Sequence, residues 1–239
     1  MKYKSQIPFA LLFWFVVAAD IMGVAAGGIP LLHYIAKPLL MPVLLIYGLA
    51  VPMHRENQVS AKRYIIAGLF FSWLGDVFLL FENRHQLFFI LGLVCFLTTH
   101  ILYIIYFLKI KSATVSLLKK QPLLPLLVNA YGIALVWLLY PHLGDLKIPV
   151  MVYATVICTM LVCSLHVFLK VNPPANWYFL SGALLFVCSD SLLAINKFYQ
   201  PFSYAGILIM LTYCAAQYFI VSGFIKQMPH EQSPIISRT

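Results

Sequence analysis

Long apolar stretches alternate with short polar segments along the whole chain. About 20 helical residues suffice to cross the roughly 30 Å hydrocarbon core of a membrane, and eight stretches approach or reach that length. The pattern therefore predicts an all-α protein, a polytopic transmembrane bundle of eight helices. The predicted spans are residues 7–26, 33–51, 64–81, 87–108, 123–140, 148–169, 177–195 and 203–224.

The composition agrees with this pattern and excludes a soluble fold. Of the 239 residues, 62% are hydrophobic and 10% are charged, a balance that cannot be wrapped as one water-soluble core. The connecting segments are short, so residues 1–239 are expected to form one domain, with residues 225–239 as a short cytoplasmic tail. Lys2 and Lys4 precede the first span as in a signal peptide, but the length of the span predicts a retained helix.

The lysines and arginines predict the orientation, because short cytoplasmic loops carry the excess of positive charge. With the N-terminus inside, 12 basic residues lie on the cytoplasmic side and three on the other. Both termini are therefore predicted to be cytoplasmic, in a bacterial inner membrane rather than an organellar one. The cytoplasmic set is Lys2, Lys4, Arg55, Lys62, Arg63, Lys109, Lys111, Lys119, Lys120, Lys170, Lys226 and Arg238; the opposite set is Arg84, Lys147 and Lys197.

The same asymmetry bears on the partners. The formal charge of +9 is explained largely by topology and by attraction to anionic lipid at the inner leaflet. The basic segment 109–120 is interpreted as a membrane-surface anchor, since no nucleic-acid motif accompanies it. Membrane lipid is thus an expected partner and nucleic acid is not, and the oligomeric state stays open.

Nothing in the sequence indicates a metal or a cofactor. All five cysteines fall within predicted spans, where free thiols behave as small apolar residues. The seven histidines are scattered and form neither an HxxxH nor an HExxH pair. The cysteines are Cys95, Cys158, Cys163, Cys188 and Cys214.

Two aspartates inside apolar stretches carry most of the chemical information. Asp76 follows Gly75 in the third span, and Asp190 follows Ser189 in the seventh. A carboxylate at membrane depth costs several kcal/mol unless it is paired, hydrated or protonated, so such residues are usually functional. Both spans run outward, and both aspartates lie five residues before the predicted outer end. We therefore expect the two to share one level and a single polar site.

Lys37 in the second span and Asp20 in the first reach nearly the same level. Pro38 and Pro42 free the carbonyls of Tyr34 and Pro38 from their helical partners, and such broken backbone is tolerated where it is buried in protein or faces a watery cavity. Lys37 is interpreted either as part of the site or as a lysine that snorkels to the outer interface. For Asp20 the alternatives are helix packing and pairing with Lys37.

A weak internal repeat relates the two aspartate segments. The third and fourth spans align with the seventh and eighth, which indicates a parallel repeat of four plus four helices. In each half, the helix after the aspartate carries polar groups on one face. These groups either line the site or hold helices together, as lone polar residues on a buried helix face often do. They are His100 and Tyr103 in one half, and Tyr213 and Gln217 in the other.

The ordered series of these residues resembles the YhhN family of integral membrane proteins, the lysoplasmalogenases. The resemblance runs from the second span to the eighth, and Asp20 is not part of its pattern. It is carried by Lys37-Pro38, by residues 68–107 with Gly75-Asp76 and His100-Ile101-Leu102-Tyr103, and by residues 182–223 with Gly182-Ala183-Leu184-Leu185-Phe186, Ser189-Asp190, Lys197-Phe198, Thr212-Tyr213 and Gln217.

The resemblance implies a hydrolase that cleaves the vinyl ether bond of lysoplasmalogens. The products are a fatty aldehyde and glycerophosphocholine or glycerophosphoethanolamine, so a lysophospholipid substrate is expected as a partner. By motif position, Asp76 and Asp190 are the implied catalytic residues. The implied lining of the substrate site is Lys37, His100, Tyr103, Tyr213 and Gln217.

Two carboxyl groups suit this chemistry. A vinyl ether is cleaved by protonating its β-carbon, which leaves an oxocarbenium ion that water captures as a hemiacetal, and the hemiacetal collapses to aldehyde and alcohol. Two carboxyls close together in low dielectric do not both ionise easily, so one is expected to serve as the acid and the other as the stabilising anion. The assignment between Asp76 and Asp190 stays open.

Two other classes fit the sequence less well. A non-enzymatic, proton-coupled carrier would also use repeats, broken helices and titrating aspartates. An intramembrane aspartyl protease would also use two buried aspartates, but Trp73 stands where its usual Gly-x-Gly-Asp motif has the first glycine, and no Pro-Ala-Leu follows.

Overall fold

The computed structural model describes residues 6–25, 28–52 and 56–227, and these residues form α-helices joined by short turns. Lys2, Lys4, Arg55, Arg238 and the end of the predicted tail lie outside the described residues. The helices are α1 (Gln6–Val24), α2 (Pro30–Leu49), α3 (Glu56–Leu79), α4 (Gln86–Leu108), a single turn α5 (Leu117–Lys120), α6 (Leu123–Leu139), α7 (Lys147–Val167), α8 (Ala175–Ala194) and α9 (Ala205–Gln227).

Each predicted span coincides with one long helix. Within the described residues, seven helices are long and apolar enough to cross a membrane. The remaining long helix, α3, is less apolar than these seven. It carries Lys62 and Arg63 in its first half and Asp76 near its end. The predicted all-α transmembrane bundle is confirmed, but the count of eight spans is approximate, because α3 is long and less apolar than the other seven helices. α9 continues through Gln227, so the first residues of the predicted tail, 225–227, are helical.

Glycines set the close packing of two helix pairs. A Cβ atom on Gly68 of α3 would lie 2.5 Å from the ring of Tyr103 on α4. A Cβ atom on Gly182 of α8 would lie 3.0 Å from the backbone oxygen of Ala216 on α9. Only a residue without a side chain permits such an approach, and small residues serve the same purpose at helix contacts in membranes generally. The pairs α3–α4 and α8–α9 are therefore tightly joined.

The two helix pairs occupy corresponding places in the two halves of the chain. Gln217 follows Tyr103 by 114 residues in the sequence. Three further pairs of identical residues have the same separation in sequence. In space, α4 packs against α7 of the other half, and α9 packs against α2 of the first half. This crossed arrangement agrees with the predicted parallel repeat. The further pairs are Gly68 and Gly182, Asp76 and Asp190, and Gly92 and Gly206.

Candidate active site

Asp190 lies one turn before the end of α8, where it contacts α4 and α7. The Tyr153 hydroxyl donates a hydrogen bond of 2.5 Å to Asp190 Oδ2, and His100 Nε2 lies 3.2 Å from the same oxygen. Tyr153 and His100 also contact each other, at 3.0 Å. Both hydrogen bonds end on Oδ2, and no described residue donates one to Oδ1. These three residues are called the Asp190 cluster.

Asp190 and Tyr153 open onto a small cavity of ≈ 50 Å³ between α3, α4, α7 and α8. The Asp190 side chain is 15% exposed, whereas His100 behind it is fully buried. The remaining lining is apolar, so the carboxyl group faces a hydrocarbon-like space. That lining is Leu79, Phe89, Leu93, Phe96, Val150, Leu193, Ala194 and Phe198.

Asp76 lies one turn before the end of α3 and is almost fully buried. The Tyr213 hydroxyl of α9 donates a hydrogen bond of 2.8 Å to Asp76 Oδ2. Lys37 of α2, also buried, is near enough to Asp76 to interact with it electrostatically. Asp76, Tyr213 and Lys37 are called the Asp76 cluster. Like the Asp190 cluster, it joins helices from both halves of the chain.

The two prolines of α2 explain how the backbone beside Lys37 is held. Pro42 has no N–H to donate to the Pro38 carbonyl. That carbonyl therefore lacks its usual partner within the helix, as the sequence predicted. Trp73 Nε1 of α3 donates a hydrogen bond of 3.0 Å to that carbonyl. Lys37 is 9% exposed, which favours a place in the site over snorkelling to the interface.

Asp20 of α1 is paired with His33 and not with Lys37. His33 Nδ1 lies 2.8 Å from Asp20 Oδ1, and Asp20 is fully buried. Asp20 Oδ2 has no hydrogen-bond partner among the described residues. Asp20 also interacts electrostatically with Asp76, so it belongs to the surroundings of the Asp76 cluster.

Two phenylalanine rings separate the clusters, so the single polar site expected from the sequence is divided. The Phe186 ring lies 4.6 Å from the His100 ring and 5.7 Å from the Tyr213 ring, between centroids. The Phe96 ring, which lines the cavity beside Asp190, lies 5.6 Å from the Tyr213 ring. The carboxylates of Asp76 and Asp190 are not hydrogen-bonded to each other.

Tyr103 and Gln217 lie apart from both carboxylates, in a separate buried network. The Tyr103 hydroxyl donates to Gln217 Oε1 at 2.7 Å, and Gln217 Nε2 donates to the Ser72 hydroxyl at 2.8 Å. Ser72 contacts Thr99 at 3.0 Å, and Thr99 donates to the Gly68 carbonyl at 3.0 Å. Each of the four side chains in this network, Tyr103, Gln217, Ser72 and Thr99, has a hydrogen-bond partner, which is the arrangement of interhelical anchors.

Sequence reasoning missed Tyr153 and the hydroxyls of Ser72 and Thr99. The repeat offers a signal only for the helix that carries Tyr153, because the residue 114 positions after Lys37 is Met151, which also lies on α7. Tyr153 thus approaches Asp190 from the helix that corresponds to α2, as Lys37 approaches Asp76. Ser72 and Thr99 have no comparable signal, since hydroxyls are common inside membrane helices.

No metal site is found in the part of the chain that the structure describes, where no group of three or more His, Cys, Asp or Glu side chains is placed to hold an ion.

A helical bundle with several membrane-spanning segments and a partly buried carboxyl that lines an apolar cavity defines the class: a multi-pass membrane protein with a site suited to an apolar ligand. The chain belongs to the YhhN family, whose profile matches residues 32–224. The resemblance predicted from the sequence is thereby confirmed.

Curated relatives cover most of the chain. Lysoplasmalogenase TMEM86A of Bos taurus is 35% identical over 171 residues, covering 70% of this chain and 67% of that protein. Lysoplasmalogenase TMEM86B of Homo sapiens is 32% identical over 187 residues, covering 78% and 73%. The lysoplasmalogenase of Mycobacterium tuberculosis is 31% identical over 184 residues, covering 74% and 64%. The predicted ether hydrolase agrees with these names. No solved structure matches significantly.

Proposed function

We propose that this protein hydrolyses the vinyl ether bond of lysoplasmalogens, releasing a fatty aldehyde and glycerophosphocholine or glycerophosphoethanolamine. The observation that carries the proposal is the Asp190 side chain, which lines an apolar cavity inside the bundle and whose hydrogen bonds from Tyr153 and His100 both reach Oδ2. The names of the relatives support the same reaction, because they are called lysoplasmalogenases in mammals and mycobacteria.

The reaction needs a proton at carbon and then a water molecule. A carboxylic acid gives its proton to the β-carbon of the vinyl ether, and the electron pair of the double bond forms the new C–H bond. The resulting oxocarbenium ion is stabilised by a carboxylate until water adds, returning one proton to the site. The hemiacetal then collapses to aldehyde and alcohol. Acid and anion carboxyls divide the work in the same way in glycosidases.

Asp190 is the carboxyl proposed to contact the vinyl ether, because it is the one that opens onto the cavity. Apart from Tyr153, the other residues that line this cavity have hydrocarbon side chains. Such a lining suits an alkenyl chain and strengthens the electrostatic interaction of Asp190 with a developing cation.

Asp76 is proposed as the second carboxyl, reached when the cavity enlarges. At ≈ 50 Å³ the cavity holds little more than water, whose share of liquid volume is about 30 Å³. A substrate must therefore displace part of the lining. Phe96 stands between the cavity and the Tyr213 ring, so its displacement would open the way to Asp76.

Lys37 is proposed to bind the substrate phosphate from the Asp76 side. It is a buried ammonium group near the buried Asp76 carboxylate. It lies on α2, the helix that contains Pro38 and Pro42. With both termini in the cytoplasm, the clusters lie toward the outer face of the proposed bacterial inner membrane. The headgroup would then rest near that face while the chain lies among the helices.

The experiment is an aldehyde-release assay on the purified full chain in nanodiscs. Choline and ethanolamine lysoplasmalogens should release aldehyde, while the matched lysolipids with a saturated ether or an ester chain should not. A folded protein that releases no aldehyde from any vinyl ether substrate would overturn the proposal. Proton-coupled uptake into liposomes without lipid turnover would instead identify a carrier.

A further inference from the structure

Tyr153 supplies a second polar group to the cavity beside Asp190. Of the residues that line the cavity, Asp190 and Tyr153 are the two that carry polar side-chain atoms. Tyr153 comes from α7, whereas Asp190 comes from α8 and the neighbouring His100 from α4. The hydroxyl of Tyr153 therefore fixes a carboxyl group that belongs to a different helix.

The two hydrogen bonds to the Asp190 carboxyl group both involve the same oxygen atom, Oδ2. Tyr153 donates to Oδ2 at 2.5 Å, and His100 Nε2 approaches the same oxygen at 3.2 Å. Within residues 6–25, 28–52 and 56–227, no hydrogen bond to Oδ1 is found, and the Asp190 side chain lines the cavity. Because a phenol has one proton, the proton that Tyr153 gives to Asp190 is not available for another acceptor, and its oxygen remains free to accept from His100 at 3.0 Å.

We propose that Tyr153 is a positioning residue for vinyl ether cleavage, holding the Asp190 carboxyl so that Oδ1 faces the reacting carbon. The inference rests on the proposed function. Without the phenol hydroxyl, the carboxyl would keep only the longer contact to His100 and could rotate within the cavity. Misplacement of a reacting group by about 1 Å can cost about a hundredfold in rate, while the apolar contacts that bind the chain would remain.

The variant Tyr153→Phe removes the hydroxyl and keeps the ring. Tyr131→Phe is a matched control, because the Tyr131 hydroxyl of α6 donates a 2.7 Å hydrogen bond to Ser191, the residue after Asp190. Both variants remove one hydrogen bond to α8, but only one of those bonds ends on the carboxyl group. The kcat and KM for choline lysoplasmalogen would be measured for both variants in nanodiscs.

We expect Tyr153→Phe to lower kcat by about ten- to a hundredfold with KM changed by less than about twofold, and Tyr131→Phe to leave both near the wild-type values. A wild-type kcat in Tyr153→Phe would overturn the inference, and so would an equal loss in both variants, which would indicate general anchoring of α8. An inactive wild-type protein would refute the proposed function itself, and the inference with it.

A second pair of variants keeps the test decisive if Tyr153→Phe does not fold. At position 153, 4-aminophenylalanine retains a donor on the ring, whereas 4-fluorophenylalanine has nearly the same shape and no donor. The donor-bearing variant should keep most of the wild-type kcat, and the fluoro variant should lose it. Equal kcat values for the two would contradict a role for the donated proton.

Discussion

Tyr103 and Gln217 occupy corresponding positions in the two halves of the chain and are hydrogen-bonded to each other, with 2.7 Å between the Tyr103 hydroxyl and Gln217 Oε1. In a parallel repeat, corresponding residues can meet only near the axis that relates the halves. This hydrogen bond joins α4 to α9, and α9 is the most buried of the seven described helices that are long and apolar enough to cross a membrane.

Each carboxylate contacts a residue of the opposite half of the chain. Asp76 of the first half accepts from Tyr213 of the second, and Asp190 of the second half contacts His100 of the first. Each cluster thus ties the two halves together, and the packing of one half depends on polar groups of the other.

The two aspartates are expected to be indispensable for aldehyde release. Asp190→Asn removes the acid or anion at the cavity, and Asp76→Asn removes the second carboxyl. Each should lower kcat by about a hundredfold or more, the usual range for general acid–base groups. Glu82→Gln is the control, since Glu82 forms a peripheral ion pair with Lys197. Near-normal turnover by either Asn variant would rule out the two-carboxyl mechanism.

Gln217 is expected to contribute to stability more than to turnover. Gln217→Leu would leave the buried Tyr103 hydroxyl without a hydrogen-bond partner and Ser72 with only its bond to Thr99, and an unsatisfied buried group costs about 1–3 kcal/mol. Unfolding in mixed micelles would measure the loss. Asn129→Leu is the control, because the exposed Asn129 amide only donates within its own helix, to Pro125. A raised KM at unchanged stability would show instead that Gln217 binds substrate.

Lys37→Met should weaken substrate binding through loss of a contact to phosphate. A hydrogen bond to a charged group is worth about 1.5–3 kcal/mol, so KM should rise about tenfold or more. Lys147→Met is the control, because Lys147 stands over the Tyr140 ring at the start of α7, away from Lys37. An unchanged KM together with a lower kcat would assign Lys37 to the ionisation of Asp76 rather than to the headgroup.

Gly182→Ala should loosen the contact of α8 with α9. The new methyl group would lie 3.0 Å from the Ala216 oxygen and 3.1 Å from the Ile220 nitrogen, which are backbone atoms that cannot turn away. Overpacking of this kind costs about 1–3 kcal/mol. At Gly48 the nearest atom is the flexible end of Ile66, at 3.0 Å, so Gly48→Ala should cost less in the same unfolding assay. Equal losses would contradict the packing argument.

The orientation can be tested by labelling single cysteines in intact bacterial cells. In a chain without the exposed Cys188, Arg84→Cys should react with a membrane-impermeant maleimide, and Lys170→Cys should react only after the cells are opened. The reason is the excess of basic residues on the cytoplasmic side. The reverse labelling pattern would place both termini outside.

Local patterns were sufficient to predict the helices and the residues of chemical interest. Apolar stretches of about 20 residues predict membrane helices, since a helix satisfies its backbone polar groups within one segment and a membrane strand needs only about 10 residues. Isolated acids in such stretches stand out for the same reason. The proline pair of α2 likewise predicted a free carbonyl at Pro38, and the Trp73 indole occupies it.

Tertiary structure decided which of these groups meet. From the sequence alone, Asp76 and Asp190 shared a level, but depth along a helix does not specify the direction of a side chain. The packing of α4 against α7 and of α9 against α2 placed Phe96 and Phe186 between the carboxylates and brought Tyr153 to Asp190. Contacts between helices distant in sequence depend on how whole faces interlock, and no short segment encodes that.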